Sequence, residues 1–162
     1  MSTMKVCCCL VLLAAFAVPS LGSAYLKAYR TLERYCPVPF FSVGPECFYV
    51  NKAKKTWPDA RAACQRIGGD LADPSNTYVL LEAIRDRHDS WDNKWFWVGG
   101  EIFSKNGDTS RWTWFSGRPV TGWEPNQPDA REEEHCLMLG LGQDPPMYDY
   151  FCNKTYASVC EL

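Results

Sequence analysis

The spacing of apolar residues predicts two helices in the first half of the chain. Apolar residues recur at helical spacing over residues 57–67, after a capping residue at Thr56 and before the helix-breaking pair Gly68-Gly69. A second helix is predicted to start at Asp73-Pro74 and to end near residues 87–89. Its apolar face is expected to comprise Val79, Leu80, Ala83 and Ile84.

Short runs rich in strand-forming residues dominate the rest of the sequence. Residues 36–50 predict a proline-rich hairpin with a strand leaving it, and residues 95–98 are dense in tryptophan and phenylalanine. Further strands are predicted at residues 111–114, 136–139, 148–152 and 157–160. Residues 117–136 have little regular pattern, and a loop of this length in a compact domain is usually functional.

Residues 1–24 have the pattern of a secretory signal. One cation, Lys5, precedes an apolar run from Val6 to Val18, and small residues follow the run. The run is shorter than the roughly 20 residues that a membrane-spanning helix needs. Cleavage after either Gly22 or Ala24 fits the small-residue rule, and no second apolar stretch follows. We therefore expect a secreted, extracellular protein without a membrane span.

Length and charge limit the domain organisation and the partners. Residues 25–35 predict a lead-in, either a short helix or a frayed tail, and residues 36–162 are expected to form one domain with its own core. Because Lys5 is the leader's only charged residue, cleavage leaves 16 basic and 19 acidic residues and a net charge of −3. This balance argues against nucleic acid or an anionic membrane as a partner.

The cysteine count predicts disulfide bonds. Removal of the leader takes three of the nine cysteines, and the remaining six are an even number in an exported chain, which argues for three disulfides. They are Cys36, Cys47, Cys64, Cys136, Cys152 and Cys160. Six cysteines can pair in 15 ways, so the residues alone leave the pairing open.

Carboxylate and amide side chains concentrate near the C-terminal end of the chain. The stretch contains Glu124-Pro125-Asn126, Gln127-Pro128-Asp129, Glu134 and Asp149. If Cys136 and Cys152 are bridged, the acids are drawn toward one patch, where they would repel each other unless a cation lay between them. Hard oxygen donors of this kind suit calcium. The stretch therefore predicts a calcium-dependent sugar-binding site.

The combined pattern over residues 36–162 resembles the C-type lectin domain family. Trp97-Val98-Gly99-Gly100 is similar to the family's Trp-Ile-Gly-Leu motif, with a departure at Gly100. The resemblance implies an α+β fold in which two helices flank small antiparallel sheets, with a long irregular loop. It also implies three disulfides, which pair Cys36 with Cys47, Cys64 with Cys160, and Cys136 with Cys152.

The same resemblance implies which residues bind the ion. The family's metal-binding tripeptide begins four residues after the loop tryptophan, and counting from Trp123 selects Gln127-Pro128-Asp129, with a cis peptide before Pro128. Glu134 and Asp149 match two further calcium ligands of the family. The implied ligands are thus Gln127, Asp129, Glu134 and Asp149. A carboxylate accepts a hydrogen bond from a sugar hydroxyl and an amide N–H₂ donates one to a hydroxyl oxygen, so these residues would also contact the sugar.

The sequence also departs from the family pattern near the site. Met147-Tyr148-Asp149 stands where the family has Trp-Asn-Asp, so Tyr148 replaces an asparagine that binds both ion and sugar and becomes a candidate sugar contact. In the family, Gln-Pro-Asp goes with galactose-type sugars and Glu-Pro-Asn with mannose-type sugars. Residues 130–132 lack the aromatic that stacks on galactose. We therefore expect a loose galactose preference with mannose-type sugars also accepted.

The implied function is binding and not catalysis, since no nucleophile, base and orienting group can be identified. His88 and His135 are too isolated in the sequence for a zinc site or a catalytic pair. Secreted single-domain lectins that this chain resembles, notably those of invertebrates, act in innate immunity by recognising and agglutinating microbes. The expected partners are microbial glycans, and agglutination would require an oligomer. The alternative is a calcium-independent module that binds a protein or surface, which Tyr148 favours. Asn153-Lys154-Thr155 is a sequon for N-glycosylation.

Overall fold

The computed structural model describes residues 35–88, 92–102, 112–129 and 134–162, and of Glu134 only its place in a strand. The predicted signal at residues 1–24, nearly all of the lead-in at 25–35, and residues 130–132 lie outside this description. Within it, no helix is long and apolar enough to cross a membrane. In chain order the elements are β1 (Phe41–Val43), β2 (Glu46–Lys55), α1 (Trp57–Arg66), β3 (Asp70–Leu71), α2 (Thr77–Arg87), β4 (Trp95–Trp97), β5 (Glu101–Ile102), β6 (Trp112–Thr113), β7 (Glu134–Gly140), β8 (Met147–Phe151) and β9 (Tyr156–Glu161).

Helix α1 begins where the sequence predicts it. The Thr56 side chain accepts a hydrogen bond from the backbone N–H of Asp59, and its hydroxyl donates to the Asp59 carboxylate. This arrangement satisfies one of the N–H groups that a helix start leaves without a partner. Ala60, Ala63 and Cys64 form the buried face of the helix.

Helix α2 begins later than the predicted start at Asp73-Pro74, which is therefore wrong. Asn76 is the cap, and its side-chain oxygen accepts the N–H groups of Tyr78 and Val79 at 3.1 Å. The Asp73 carboxylate is engaged elsewhere, because it accepts the backbone N–H of Ser116 at 2.7 Å. The rotation of the helix also differs from the prediction. Its buried residues are Leu80, Leu81 and Ile84, whereas Val79 is 47% exposed.

The strands form one seven-stranded sheet and one two-stranded sheet. The large sheet has the order β1-β2-β9-β4-β7-β8, and β3 pairs with β9 off this path. Strand β9 is antiparallel to β2 and β3 and parallel to β4, and this parallel pair was not predicted. The small sheet joins β5 to β6. The described part of the chain thus has the expected α+β arrangement of two helices and small, mainly antiparallel sheets.

Aromatic residues fill much of the core. Phe48, Phe96, Trp97 and Trp112 are completely buried, and burial of one such side chain contributes about 1.5–3 kcal/mol or more. The indole N–H of Trp97 donates to the Lys55 carbonyl at 2.9 Å, so its polar atom is satisfied.

All three implied disulfides are present and tie the elements together. Cys36 pairs with Cys47 and Cys136 pairs with Cys152, across 11 and 16 positions of sequence. Cys64 pairs with Cys160 and joins α1 to β9 across 96 positions. In the chain-entropy account, closing a loop of this last length stabilises the fold by on the order of 4 kcal/mol.

The glycine that departs from the family motif has a packing reason. A Cβ atom at Gly100 would lie 2.2 Å from Leu137 Cδ1 and 2.9 Å from the Thr113 carbonyl oxygen. The Leu137 side chain and the backbone of β6 therefore lie too close to this position for a leucine side chain.

Candidate functional site

The tripeptide predicted to bind metal follows a turn that is fixed by Glu124. The Glu124 carbonyl accepts the N–H of Gln127 at 2.7 Å, and its carboxylate accepts the N–H of Asn126 at 3.0 Å. The peptide bond between Gln127 and Pro128 is cis, as predicted. Sequence reasoning assigned Glu124 only to a rejected tripeptide, whereas the structure places it as the residue that shapes the chosen one. The sequence signal for this turn was an acidic residue two positions before Asn126, whose carboxylate can accept the backbone N–H of Asn126.

The loop is held against strand β8 by backbone hydrogen bonds. Met147 N–H donates to the Gly122 carbonyl at 3.0 Å, and Glu124 N–H donates to the Met147 carbonyl at 3.1 Å. The Trp123 ring packs edge-to-face against Trp112 with centroids 5.5 Å apart, and its indole N–H donates to the Val120 carbonyl. These contacts hold residues 122–124, which precede the tripeptide, against β8 and Trp112.

Three of the predicted ligands come together at this junction. Asp149 N–H donates to Gln127 Oε1 at 3.4 Å, and Asp129 N–H donates to Asp149 Oδ1 at 3.2 Å. Asp149 is 1% exposed, Gln127 is half-buried and Asp129 is exposed. The cluster therefore runs from the buried edge of β8 to the surface.

A buried carboxylate is costly unless its charge is balanced by hydrogen bonds or a counter-charge. At Asp149 the hydrogen bond from Asp129 N–H supplies part of that balance. The side chains offer amide and carboxylate oxygens, which are the donors that calcium prefers. The donor chemistry of the cluster therefore fits a calcium ion.

The described carboxylates alone do not complete a metal site. Among the described residues, no three histidine, cysteine, aspartate or glutamate side chains lie close enough together to hold an ion. Glu134, the fourth predicted ligand, is the first residue of β7 and pairs with Phe151 in the register of the sheet. Its side chain lies outside the description, so its role stays a prediction.

Tyr148 is held by an aromatic neighbour. Its ring packs edge-to-face on Trp95 with centroids 4.9 Å apart and an interplanar angle of 89°. Burial, and then the nearby charge of Glu124, raises the pKa of the Tyr148 hydroxyl. Met147 packs in one core cluster and Tyr148 against the other, which agrees with alternation along a strand. A sugar contact by Tyr148 stays a prediction.

The sequon lies on the surface. Asn153, Lys154 and Thr155 are exposed in the turn between β8 and β9, and Lys154 N–H donates to the Phe151 carbonyl at 3.1 Å. The neighbouring Cys152 is bridged to Cys136, so the turn is anchored while the Asn153 side chain faces solvent.

Comparison with known proteins identifies the family of the domain. The family model described as "Lectin C-type domain" matches residues 53–162. The human protein "C-type lectin domain family 17, member A" is 29% identical over 128 residues, which are 78% of this chain and 32% of that protein. The chain thus spans about a third of that relative's length. The galactose-specific lectin nattectin of Thalassophryne nattereri is 33% identical over 111 residues, covering 66% of this chain and 68% of that one.

A solved structure shares the fold at the level of the whole domain. The calcium-independent type II antifreeze protein superposes with a TM-score of 0.63 and 27% identity, over 79% of this chain and 94% of that one. The fold is therefore C-type lectin-like. Since that protein is described as calcium-independent, the fold itself does not decide the chemistry of the site.

Proposed function

The chain belongs to the C-type lectin domain family, and we propose that it is a secreted lectin that binds sugars with the help of calcium. Its lectin relatives and the fold support carbohydrate binding in general. The proposed site consists of the tripeptide Gln127–Asp129, Glu134 and Asp149. Binding, and not catalysis, is the proposed activity.

The observation that carries this proposal is the position of the Asp149 carboxylate. It is buried, it accepts the backbone N–H of Asp129, and its own backbone N–H is bonded to the Gln127 side chain. Residues 20 and 22 positions apart in the chain thus present oxygen donors together. Oxygen donors arranged in this way suit a hard cation such as calcium.

The side chains of the tripeptide have complementary roles toward a sugar. Calcium, when bound, supplies a cationic centre for sugar hydroxyl oxygens. The Asp129 carboxylate can accept a hydrogen bond from one sugar hydroxyl, while the Gln127 amide N–H₂ can donate a hydrogen bond to the oxygen of the neighbouring hydroxyl. The Gln127 oxygen is oriented by the N–H of Asp149, which fixes which end of the amide remains for the sugar.

We propose galactose-type sugars as the preferred ligands, with mannose-type sugars also bound. The order of amide and carboxylate in Gln127–Asp129 supports this choice, as does the relative described as a galactose-specific lectin. Microbial surface glycans are the proposed targets in innate immunity. Agglutination would require oligomers that present more than one site.

The experiment that tests the proposal is a sugar-binding assay on the full chain with galactose, mannose and glucose. Measurements are made in calcium and again after chelation. The proposal predicts saturable galactose binding in calcium, weaker mannose binding, and loss of both after chelation. Equal binding with and without chelator would overturn calcium dependence, and no sugar binding by folded protein would overturn the lectin.

A second candidate function is a calcium-independent module that binds a protein or another surface. Tyr148 favours it, because this tyrosine occupies the position of the family's ion-binding asparagine. Its ring packs on Trp95. The structural match to a calcium-independent protein of the same fold also supports it. Failure of the sugar assay with intact fold would favour this candidate.

A further inference from the structure

A groove of about 570 Å³ lies between strand β2 and the end of helix α2. It shares no residue with the Gln127–Asp129 site. Its lining consists of Pro39, Phe41, Tyr49, Val50, Asn51, Lys52, Ala53, Arg87 and His88. Residues such as Lys52 and Arg87, which are 35 positions apart in sequence, therefore build one concave surface.

The described residues that line this groove are basic or neutral. Lys52 comes from β2, and Arg87 and His88 come from the end of α2, while no described lining residue is a carboxylate. The whole chain has a net charge of −2. The groove is thus a local concentration of positive charge on a slightly acidic protein, and such a field attracts anions.

The position of Arg87 is fixed by its neighbours. Its guanidinium lies 4.4 Å from the centroid of the Phe41 ring, and one N–H donates to the Ala83 carbonyl at 3.2 Å. A guanidinium carries five N–H donors, so one hydrogen bond to the helix leaves others to recognise a ligand. Pre-ordering of this kind reduces the entropy cost of binding.

Lys52 lies at an irregularity in strand β2. The register between β2 and β9 shifts between Asn51 and Lys55, and the Asn51 side chain accepts the N–H of Ala53 at 3.1 Å. Lys52 lies within this shift and is exposed. Bulges of this kind commonly reorient a side chain at the edge of a pairing.

The groove also has an aromatic component. Phe41 and Tyr49 are half-buried and line it together with Pro39. Tyr49 is positioned by an edge-to-face contact with Phe40, with centroids 6.1 Å apart. Rings next to cations provide both an apolar face for a sugar ring and charges for its acidic substituents.

We propose that this groove binds the acidic groups of an anionic polysaccharide, with Lys52 and Arg87 as the cationic contacts, independently of calcium. The shared chemistry is an oxyanion carried by a sugar, either a carboxylate or a sulfate ester. A purely structural role accounts for Arg87, which supports the end of α2.

His88 provides a readout of an anion in the groove. Burial, followed by the charges of Lys52 and Arg87, lowers the pKa of His88. Among the described lining residues, the remaining group that can titrate is Tyr49, and β1 contributes none. A bound anion would offset the repulsion and raise the pKa of His88. Because pKa and binding are linked, affinity should increase as the pH falls through the pKa of His88.

The test uses the full chain, with chelator present, on immobilised heparin for sulfate esters, polygalacturonate for carboxylates and dextran as the neutral control. We expect binding to at least one of the anionic polymers and not to dextran, with affinity falling as salt is added. The double variant Lys52→Gln/Arg87→Gln should lose affinity by about tenfold or more. The matched variant Lys54→Gln/Arg85→Gln removes two exposed charges outside the groove lining and should retain affinity within about twofold.

Two further measurements keep the test decisive if Arg87→Gln impairs folding. Lys52→Gln alone should weaken binding by about threefold, and anionic oligosaccharide should raise the pKa of His88 in an NMR titration of the two histidines. The proposal is overturned if neither anionic polymer binds, if both double variants lose affinity equally, or if neither Lys52→Gln nor His88 responds. Because chelator is present in every measurement, a negative result for the groove is independent of whether the proposed calcium site binds sugar.

Discussion

Two acidic regions of the domain contain buried or half-buried carboxylates, and they differ in what surrounds the charge. In the first, Asp149 lies beside the side chain of Gln127 and the backbone of Asp129. In the second, Asp73 and Glu161 line a cavity of about 610 Å³ that also contains Arg118. The first region gathers oxygen donors, whereas the second contains a cation of the same chain.

The contacts of the second region connect segments that are distant in sequence. Arg118 forms an ion pair with the Asp73 carboxylate and also donates to the Pro74 carbonyl at 3.0 Å. Glu161 accepts the N–H of Asp73 at 2.8 Å, and Ser116 N–H donates to Asp73. Acidity alone therefore does not identify a binding site. We expect changes in the first region to affect ligand binding and changes in the second to affect stability.

The largest effect is expected from Asp129→Ala. It removes a proposed ion ligand that is also a proposed acceptor for a sugar hydroxyl, so calcium-dependent sugar binding should fall by about 100-fold or more. The three disulfides should keep the domain folded. A sugar-binding isotherm in calcium checks this, with circular dichroism to verify the fold. Undiminished sugar binding by the variant would show that the tripeptide is only a turn.

Asp73→Ala is the matched change in the second region. It removes the acceptor for Ser116 N–H and the partner of Arg118, so the free energy of unfolding should fall by about 1–3 kcal/mol. Sugar affinity should remain within about twofold, since Asp73 belongs to the other region. Urea unfolding followed by the sugar assay measures both. A large loss of sugar affinity in a folded Asp73→Ala protein would contradict the separation of the two regions.

Glu161→Gln should have a smaller effect that depends on pH. Burial, with further contributions from Glu46 and Asp73, raises the pKa of Glu161 from its ordinary 4.5 to about 7. The folded state therefore holds this proton more tightly than the unfolded state, and ionisation above about pH 7 costs stability. The stabilisation that protonated Glu161 gives the wild-type protein is therefore lost as the pH rises from about 4.5 to about 7.

The variant lacks this titration and retains an acceptor for Asp73 N–H. It should be more stable than wild type at pH 8, and this advantage should shrink as the pH falls toward 4.5. Urea unfolding at several pH values in chelator measures the difference. If the difference in the free energy of unfolding between the variant and wild type did not change with pH, ionisation of Glu161 would be excluded as its cause.

Local patterns predicted the elements whose causes lie within a few residues. The cap at Thr56 depends on neighbours in sequence, whereas the cis bond before Pro128 was implied by the resemblance to the family. The start of α2 was mispredicted because Asp73 is recruited by Ser116 and Arg118, more than forty positions away. The parallel pairing of β4 with β9 is likewise a long-range feature.

The candidate site was predictable only through its register with a known family. Composition identified acids and amides, but counting from Trp123 selected the tripeptide, and the contact between Asp149 and Asp129 depends on the pairing of β8. The raised pKa of Glu161 and the basic groove could not be anticipated, because each depends on residues joined only by the fold. Gly100 shows the same limit, since its neighbours Leu137 and Thr113 are distant in sequence.

The most direct test of the calcium site is isothermal titration of calcium into the chelator-treated full chain, compared with its Asp149→Asn variant. Asparagine retains an oxygen that can accept the Asp129 N–H, so the variant removes the charge and keeps the hydrogen bond. We predict saturable calcium binding by wild type and its loss in Asp149→Asn, with both proteins folded. Absence of calcium binding by folded wild type, or equal binding by the variant, would contradict the proposed site.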